Sequence, residues 1–145
     1  MPTRVETTNL AAADALKLRG SEKKSFLDWT YDLEQRGCAA LDYRLTGEPP
    51  VNQICVKHLF GNLRAIVAFD GDGTAWIVMV GPHDESDQEN NIYTRLWNLL
   101  ELDAPPAGTR TKPACCSPEG LAPSDEAMVE DLVDRCRAKA RRLRR

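Results

Sequence analysis

The sequence predicts an α+β fold: N-terminal helices packed on a small antiparallel β-meander, followed by a C-terminal helix and an appended basic helix. The prediction depends on the spacing of apolar residues, which is helical early in the chain, strand-like in three consecutive runs, and helical again towards the end. A chain of 145 residues is long enough for one hydrophobic core. Its apolar runs are all shorter than the roughly 18 residues that a membrane-spanning helix needs, so no membrane contact is expected.

Two helices are predicted in the first third of the chain. Residues 10–18 are rich in alanine, which favours a short helix. Residues 21–45 carry apolar side chains, beginning with Phe26 and Trp29, mostly at intervals of three or four, as on a helix with one buried face. Gly37 is expected to break or kink this second helix.

Three strand-like runs follow. Residues 53–60 and 62–69 alternate between two faces, and residues 74–80 are almost continuously apolar. Tight turns are predicted at Gly61 and at residues 70–73, because glycine accepts the positive φ that hairpin turns need. The runs therefore predict a meander whose last strand is central or covered on both faces.

The rest of the chain divides into three parts. Apolar spacing predicts a helix over about residues 88–102, whereas five prolines in residues 104–123 indicate a linker or an extended strap. Residues 124–145 predict an amphipathic helix with acids in its first turn and a basic end. We therefore expect a main domain over residues 1–103, followed by the proline-rich segment and the basic helix.

Charge is distributed unevenly along the chain. The last eleven residues contain seven basic side chains and no acid, so the first 134 residues contain twelve basic and 22 acidic side chains. Such an acidic body does not offer a general phosphate-binding surface. Any contact with nucleic acid must come from a local site or from the basic tail.

The five cysteines are odd in number and irregularly spaced, which predicts reduced thiols and no disulfide framework. A metal site formed by Cys115 and Cys116 with His83 or Cys136 is left open as an alternative. The first twenty residues lack the apolar stretch of a secretory signal, which argues against export. We therefore expect a cytoplasmic protein.

Two stretches resemble a known family. Residues 56–73, VKHLFGNLRAIVAFDGDG, look like the central hairpin of the RelE/ParE toxin superfamily, in which a basic residue, a Leu and a Gly turn precede a strand with an Arg near its start. Residues 76–83, WIVMVGPH, resemble the family's hydrophobic strand that ends in a Val-Gly-His type motif, and Tyr93 resembles the Tyr that follows it. Over residues 10–100 the chain resembles RelE-like toxins of actinobacterial type.

The resemblance implies the toxin component of a type II toxin–antitoxin system, which regulates growth. RelE-like members are endoribonucleases that cleave mRNA on the ribosome, and a small antitoxin holds them inactive. Cleavage through the ribose 2′-OH would use no metal or other cofactor. It needs an activator for that hydroxyl, cations for the charge on phosphorus, and a proton for the leaving 5′-oxygen. The implied partners are a cognate antitoxin, the ribosome and mRNA, and a homodimer is left open.

Four residues are candidates for catalysis. Arg64 interrupts an apolar strand and would clamp the scissile phosphate, or would pair with an acid at the sheet edge. Lys57 would add charge at the same phosphate or be a solvated lysine. His83 would act as an acid or base, or bond to the acidic loop after it. Tyr93 would stack on a base, assist proton transfer or anchor its helix. The nuclease interpretation requires Arg64 to project from the sheet beside His83.

Other basic residues are candidates for RNA binding. His58 alternates with apolar residues and is expected to pack in the core or to be a satisfied histidine at the sheet edge. Arg95 would contact RNA or form a surface salt bridge. The basic end of the last helix would contact RNA phosphates, cover the acidic body or form a dimer contact. The RNA-binding candidates are Arg95, Arg135, Arg137, Lys139, Arg141 and Arg142.

Two other functions are left open by the sequence. One is a non-enzymatic binder with the toxin fold, either a gyrase inhibitor or a protein-interaction module. The other is a regulatory protein that binds nucleic acid through its basic C-terminal helix.

Overall fold

The fold is α+β, as predicted, in a computed structural model that describes residues 2–103 and 112–143. Part of the predicted proline-rich segment (104–111) and the last two arginines lie outside the described residues. In chain order the elements are β1 (Val5–Thr7), α1 (Asn9–Leu16), α2 (Gly20–Arg36), β2 (Tyr43–Arg44), β3 (Ile54–His58), β4 (Leu63–Phe69), β5 (Ala75–Pro82), α3 (Ile92–Leu100) and α4 (Glu126–Leu143), with short 3₁₀-helices at Gly37–Ala40 and Val51–Gln53.

The described strands form one five-stranded sheet in the order β1-β5-β4-β3-β2. Strands β3, β4 and β5 make the predicted antiparallel meander. The sheet is larger than predicted because β1 pairs in parallel with β5 and β2 pairs with β3. These two edge strands have three and two residues, which is too short for an alternating pattern to show in the sequence.

Helix α2 ends well before residue 45, where the apolar spacing placed its end. Gly37 follows the helix with a φ of +58°, and a Cβ there would lie 2.9 Å from the Thr3 hydroxyl. A glycine is therefore required, and the chain leaves the helical path at this point. The apolar residues beyond it, including Leu41 and Leu45, are buried without being helical.

The sheet separates two hydrophobic cores. On one face, which we call the α4 face, α3 and α4 contribute Leu96 and Leu132, both essentially inaccessible to solvent. On the other, the α2 face, Phe26 and Leu33 pack against the strands. Helix α1 contributes to both cores. The predicted basic helix thus covers the central strands, and burying its apolar stripe stabilises the fold by roughly 2 kcal/mol for each large side chain.

The prediction of reduced thiols was wrong for four of the five cysteines. Cys38 is bonded to Cys116 and Cys55 to Cys115, and Cys136 is a buried free thiol. The pairs are 78 and 60 residues apart in sequence, so spacing gave no sign of them. The bonds fix residues 112–123, which we call the strap, against the α2 face.

The disulfides make Cys115 and Cys116 unavailable as ligands for the metal site that was left open, because their sulfurs are bonded to other cysteines. Within residues 2–103 and 112–143 no three histidine, cysteine or acidic side chains are grouped so that they could hold a metal ion. The same residues form no helix that is long and apolar enough to span a membrane.

Candidate active site

The β3–β4 hairpin places two basic side chains side by side. His58 and Arg64 are direct partners in the antiparallel register, so their side chains project from the same face of the sheet. The turn closes through a hydrogen bond from the Leu59 amide to the Leu63 carbonyl at 2.8 Å. Gly61 lies within this turn at a φ of +63°. The shared face is the α4 face, which also carries the first core.

Two tyrosines lie next to these residues. The hydroxyls of Tyr43, on β2, and Tyr93, in the first turn of α3, are 2.9 Å apart. The Tyr43 hydroxyl is also 3.2 Å from His58 Nε2, and the two rings meet edge to face. Burial and the hydrogen bond with Tyr43 raise the pKa of Tyr93, and nearby Arg64 acts in the opposite direction. Tyr93 therefore stays a neutral hydroxyl at physiological pH.

His83 joins the cluster from the segment after β5. Its backbone amide donates to the Asn62 carbonyl at 2.8 Å, which ties it to the β3–β4 turn. Its imidazole packs edge to face against the Tyr93 ring, with centroids 4.9 Å apart. Glu85 Oε1 is 3.6 Å from His83 Nε2 and forms an ion pair when the imidazole is protonated. His83 is thus held by contacts on two sides.

Arg64 has no counter-ion among the described residues. Its Nη1 donates to the carbonyls of Gly61 and Leu63 at 3.2 and 3.1 Å, and its Nε is buried without a hydrogen-bond partner in that part of the chain. The protein has 22 acidic residues, so a half-buried guanidinium without an acid partner is unusual. Other arginines pair with carboxylates: Arg4, Arg36, Arg95, Arg135 and Arg137.

The electrostatics of the cluster favour a neutral His58. Burial lowers the pKa of His58 from 6.5, and the Arg64 charge lowers it further, whereas Asp42 opposes the shift. Lys112, on the strap, also lowers the pKa of His58, and its Nζ lies 5.1 Å from the centre of the Tyr43 ring. An unprotonated imidazole beside an unpaired guanidinium can take a proton next to a bound anion.

The structure brings three of the four predicted catalytic residues together. The Arg64 charge lowers the pKa of Tyr93, and the Tyr93 ring packs against the His83 ring. All three residues lie on the α4 face. Lys57 is not among them. It alternates with His58 along β3, so it projects from the opposite face, where its Nζ is 3.4 Å from an oxygen of Asp42.

His58 and Tyr43 are parts of the cluster that the sequence pattern did not indicate. His58 was expected in the core or at the sheet edge, but it lies exposed at the end of β3, an inner strand, where it contacts Tyr43 and faces Arg64. The signal that could have found it is the hairpin register, which requires the turn to begin at Leu59. Tyr43 could not be found, because its strand has two residues.

Arg95, a candidate for RNA contact or for a surface salt bridge, forms an ion pair inside the protein. Its Nη2 donates to both carboxylate oxygens of Asp14 at 3.0 Å, and this largely buried pair joins α3 to α1. The Val80 amide also donates to Asp14 at 3.0 Å. Burial raises the pKa of Asp14, and Arg95 opposes that shift. The guanidinium is therefore occupied within the protein.

The basic residues of α4 are partly neutralised. Arg135 pairs with Asp131 at 2.7 Å and donates to the Leu99 carbonyl, and Arg137 pairs with Asp134 at 3.3 Å. The remaining candidates lie on the solvent side of the helix: Lys139, Arg141 and Arg142. These three are the residues of α4 that remain suited to contact phosphates.

The fold and the cluster together define a small α+β protein. Its site lies at the end of a β-hairpin and consists of the cation Arg64, two histidines and two tyrosines. No family model matches the chain, and no curated protein matches it.

Two solved structures are similar to the chain. One is the toxin–antitoxin complex RelBE2 from Mycobacterium tuberculosis, at 21% identity over 55% of this chain and 96% of that chain, with a TM-score of 0.47. The other is a mutant of the Escherichia coli toxin RelE in the free state, at 15% identity over 60% of this chain and 90% of that chain, with a TM-score of 0.46.

Proposed function

We propose that the protein is an endoribonuclease that cleaves RNA by attack of the ribose 2′-OH on the adjacent phosphate. The observation that supports this is the unpaired guanidinium of Arg64 in a cluster with two imidazoles and two tyrosine hydroxyls. Such a set supplies a base, an anion-binding group and an acid, which are the three groups that this cleavage needs.

His58 is assigned the role of general base. Its lowered pKa keeps the imidazole unprotonated at neutral pH, so it can accept the proton of the 2′-OH. The 2′-oxygen then forms a bond to phosphorus. Arg64 donates to the non-bridging phosphate oxygens, where negative charge develops.

His83 is assigned the role of general acid. The bond between phosphorus and the 5′-oxygen breaks as protonated His83 donates its proton to that oxygen. The products are a 2′,3′-cyclic phosphate and a 5′-hydroxyl. Glu85 pairs with the protonated imidazole, and Tyr93 packs against the ring and orients it. All of these steps use side chains of the cluster.

We further propose that the enzyme is the toxin of a type II toxin–antitoxin system and acts in the cytoplasm on ribosome-bound mRNA. A cognate antitoxin would hold it inactive. The acidic body makes the general affinity for RNA weak, so free RNA would be cleaved slowly and presentation of the substrate by the ribosome would raise the rate. The exposed cations Lys139, Arg141 and Arg142 would contact ribosomal RNA phosphates.

The proposal is tested by expressing the chain and its Arg64→Ala variant in a bacterial host and mapping mRNA 5′ ends. The wild-type chain should arrest growth and produce new ends, and Arg64→Ala should do neither. Arg64→Lys, which keeps the charge but loses the planar guanidinium, should retain partial activity. Arg36→Ala, which removes an exposed arginine on α2, is the matched control. Equal arrest by wild type and Arg64→Ala, or no new ends, would refute the proposal.

The exposed cations of α4 favour a second candidate, a nucleic-acid-binding regulator. Removing the whole helix cannot test it, because α4 supplies core residues such as Leu132. Replacing Lys139, Arg141 and Arg142 with glutamine leaves the core intact. A regulator would lose its nucleic-acid binding in this triple variant, whereas the nuclease would retain cleavage of a short RNA.

A further inference from the structure

The strap brings a lysine into the candidate active site. Lys112 is exposed, and its Nζ lies over the Tyr43 ring at 5.1 Å from the ring centre. The residue after it, Pro113, accepts a hydrogen bond from the Arg44 amide at 2.7 Å. The first residues of the strap thus run along the outer edge of β2, the strand that carries Tyr43.

Two disulfides hold the strap in this position. The Cys55–Cys115 bond reaches β3, and Cys55 is the direct partner of Arg44 in the β2–β3 register. The cross-link therefore lies at the strand pair that also carries Tyr43. The Cys38–Cys116 bond fixes the next residue of the strap to the 3₁₀-helix after α2.

We propose that Lys112 is a substrate-binding residue that contacts a backbone phosphate of single-stranded RNA beside the scissile one, and that the two disulfides hold it there. This inference rests on the proposed function. Lys112 has no carboxylate partner within the described residues, and its charge reaches His58. Aromatic contact with Tyr43 directs the ammonium group towards the cluster. Lys112 is therefore a second cation beside Arg64 at the site of an otherwise acidic protein.

The disulfides make this contact sensitive to reduction. A dithiol such as dithiothreitol transfers two electrons and two protons to each bond, gives two cysteine thiols, and is itself oxidised to a disulfide. In the reduced protein only non-covalent contacts, such as the Arg44–Pro113 hydrogen bond, keep the strap in place. Lys112 is then less well positioned, and its contribution to binding decreases.

The first test measures how affinity for RNA depends on salt. The probe is a single-stranded RNA oligonucleotide with 2′-O-methyl groups, which binds but cannot be cleaved. Lys112→Gln should reduce the slope of log K against log salt by about 0.7, the value for one lost contact to a single-strand phosphate. Lys112→Arg should restore it. Lys23→Gln, which removes an exposed lysine of α2, should leave the slope unchanged. An unchanged slope in Lys112→Gln would overturn the proposal.

The second test compares oxidised and reduced protein on a cleavable RNA. In oxidised protein Lys112→Gln should raise KM several-fold and leave kcat almost unchanged, as expected for uniform binding. After dithiothreitol treatment, wild type and Lys112→Gln should have similar KM values. The Cys38→Ser/Cys116→Ser variant should have a KM between those of the oxidised and the reduced wild type. A Lys112→Gln effect of the same size in oxidised and reduced protein would refute the role of the disulfides. An unchanged far-ultraviolet circular dichroism spectrum of the reduced protein at the assay temperature would show that the fold persists without the cross-links.

Arg64→Ala separates failure of this inference from failure of the proposed function. If Arg64→Ala abolishes cleavage while Lys112→Gln behaves as wild type, only the inference about Lys112 is wrong. If wild type and Arg64→Ala show the same absence of cleavage and the same weak binding, the nuclease proposal fails as well.

Discussion

The ion pair between Arg95 and Asp14 is expected to be a major determinant of stability. It joins α3 to α1, and the Asp14 carboxylate also accepts a hydrogen bond from the Val80 amide of β5. The Asp14 side chain is 9% exposed and that of Arg95 is 24% exposed. Arg95→Met keeps the aliphatic stem but leaves the Asp14 charge buried without its partner.

Breaking a buried ion pair from one side costs roughly 3–5 kcal/mol. Because a quarter of the Arg95 side chain reaches solvent, we expect the lower end, about 3 kcal/mol at pH 7. For a chain of this size such a loss lowers the unfolding midpoint by roughly 6–12 °C. The double variant Asp14→Asn/Arg95→Met should be more stable than Arg95→Met, since it buries no charge.

The cost of Arg95→Met should depend on pH. Burial already raises the pKa of Asp14 above 3.8, and loss of the guanidinium raises it further. A carboxyl whose pKa is raised in the folded state weakens the fold as pH rises through that pKa. Below the ordinary pKa of 3.8 the carboxyl is neutral in both the folded and the unfolded state, so the cost of burying its charge disappears. The difference between wild type and Arg95→Met should therefore be largest at pH 7 and should shrink as the pH falls.

The measurement is urea unfolding of wild type, Arg95→Met and the double variant at several pH values between 7 and 4. Arg135→Met is the matched control, because it removes an arginine that pairs with the exposed Asp131, and about 0.5 kcal/mol is expected from it. A cost of Arg95→Met below 1 kcal/mol, or one that stays constant over this pH range, would refute the argument that Asp14 needs this partner.

Three further predictions concern the core and the site. Leu132→Ala, in the α4 core, should cost about 3 kcal/mol in urea unfolding, and a loss under 1 kcal/mol would show that α4 is not an integral part of the fold. The rising limb of the pH profile of kcat/KM should lie below pH 6.5 and vanish in His58→Gln, because burial and Arg64 lower the pKa of that histidine. Tyr43→Phe removes hydrogen bonds to Tyr93 and His58 and should slow single-turnover RNA cleavage about tenfold with little change in folding, so an unchanged rate would exclude Tyr43 from the site.

The central strands could be predicted because each run is long enough to show its pattern. Strands β4 and β5 have seven and eight residues, and the turns between the strands are marked by glycine. Arg64 could be found because a charged residue interrupts an otherwise apolar strand. His83 and Tyr93 could be found through the family resemblance and not through any pattern of their own.

The cross-links and the end of α2 depend on contacts that are distant in sequence. Nothing near Cys55 indicates that Cys115 lies beside it, because the strap must first pass around the sheet edge. Apolar spacing continues past Gly37, so the helix was extended too far. Its end depends on a close approach to Thr3, which spacing does not show.

Which of His58 and Lys57 lies beside Arg64 depends on the register of the β3–β4 hairpin. The strand ends at His58, and the turn begins at Leu59, two residues earlier than the glycine suggests. With the register fixed, alternation places His58 with Arg64 and turns Lys57 to the other face. A displacement of one residue would exchange their roles, so sequence alone could not choose between them.

The packing of α4 has a consequence for the synthesis of the protein. Leu132 and Cys136 cover the face of the sheet that carries Ile66 and Val78, and they are translated well after those strands. A nascent chain that has made its whole sheet still exposes a bare apolar surface until this helix emerges, and such surfaces attract chaperones and proteases. Chains that terminate before α4 should accordingly be degraded instead of accumulating.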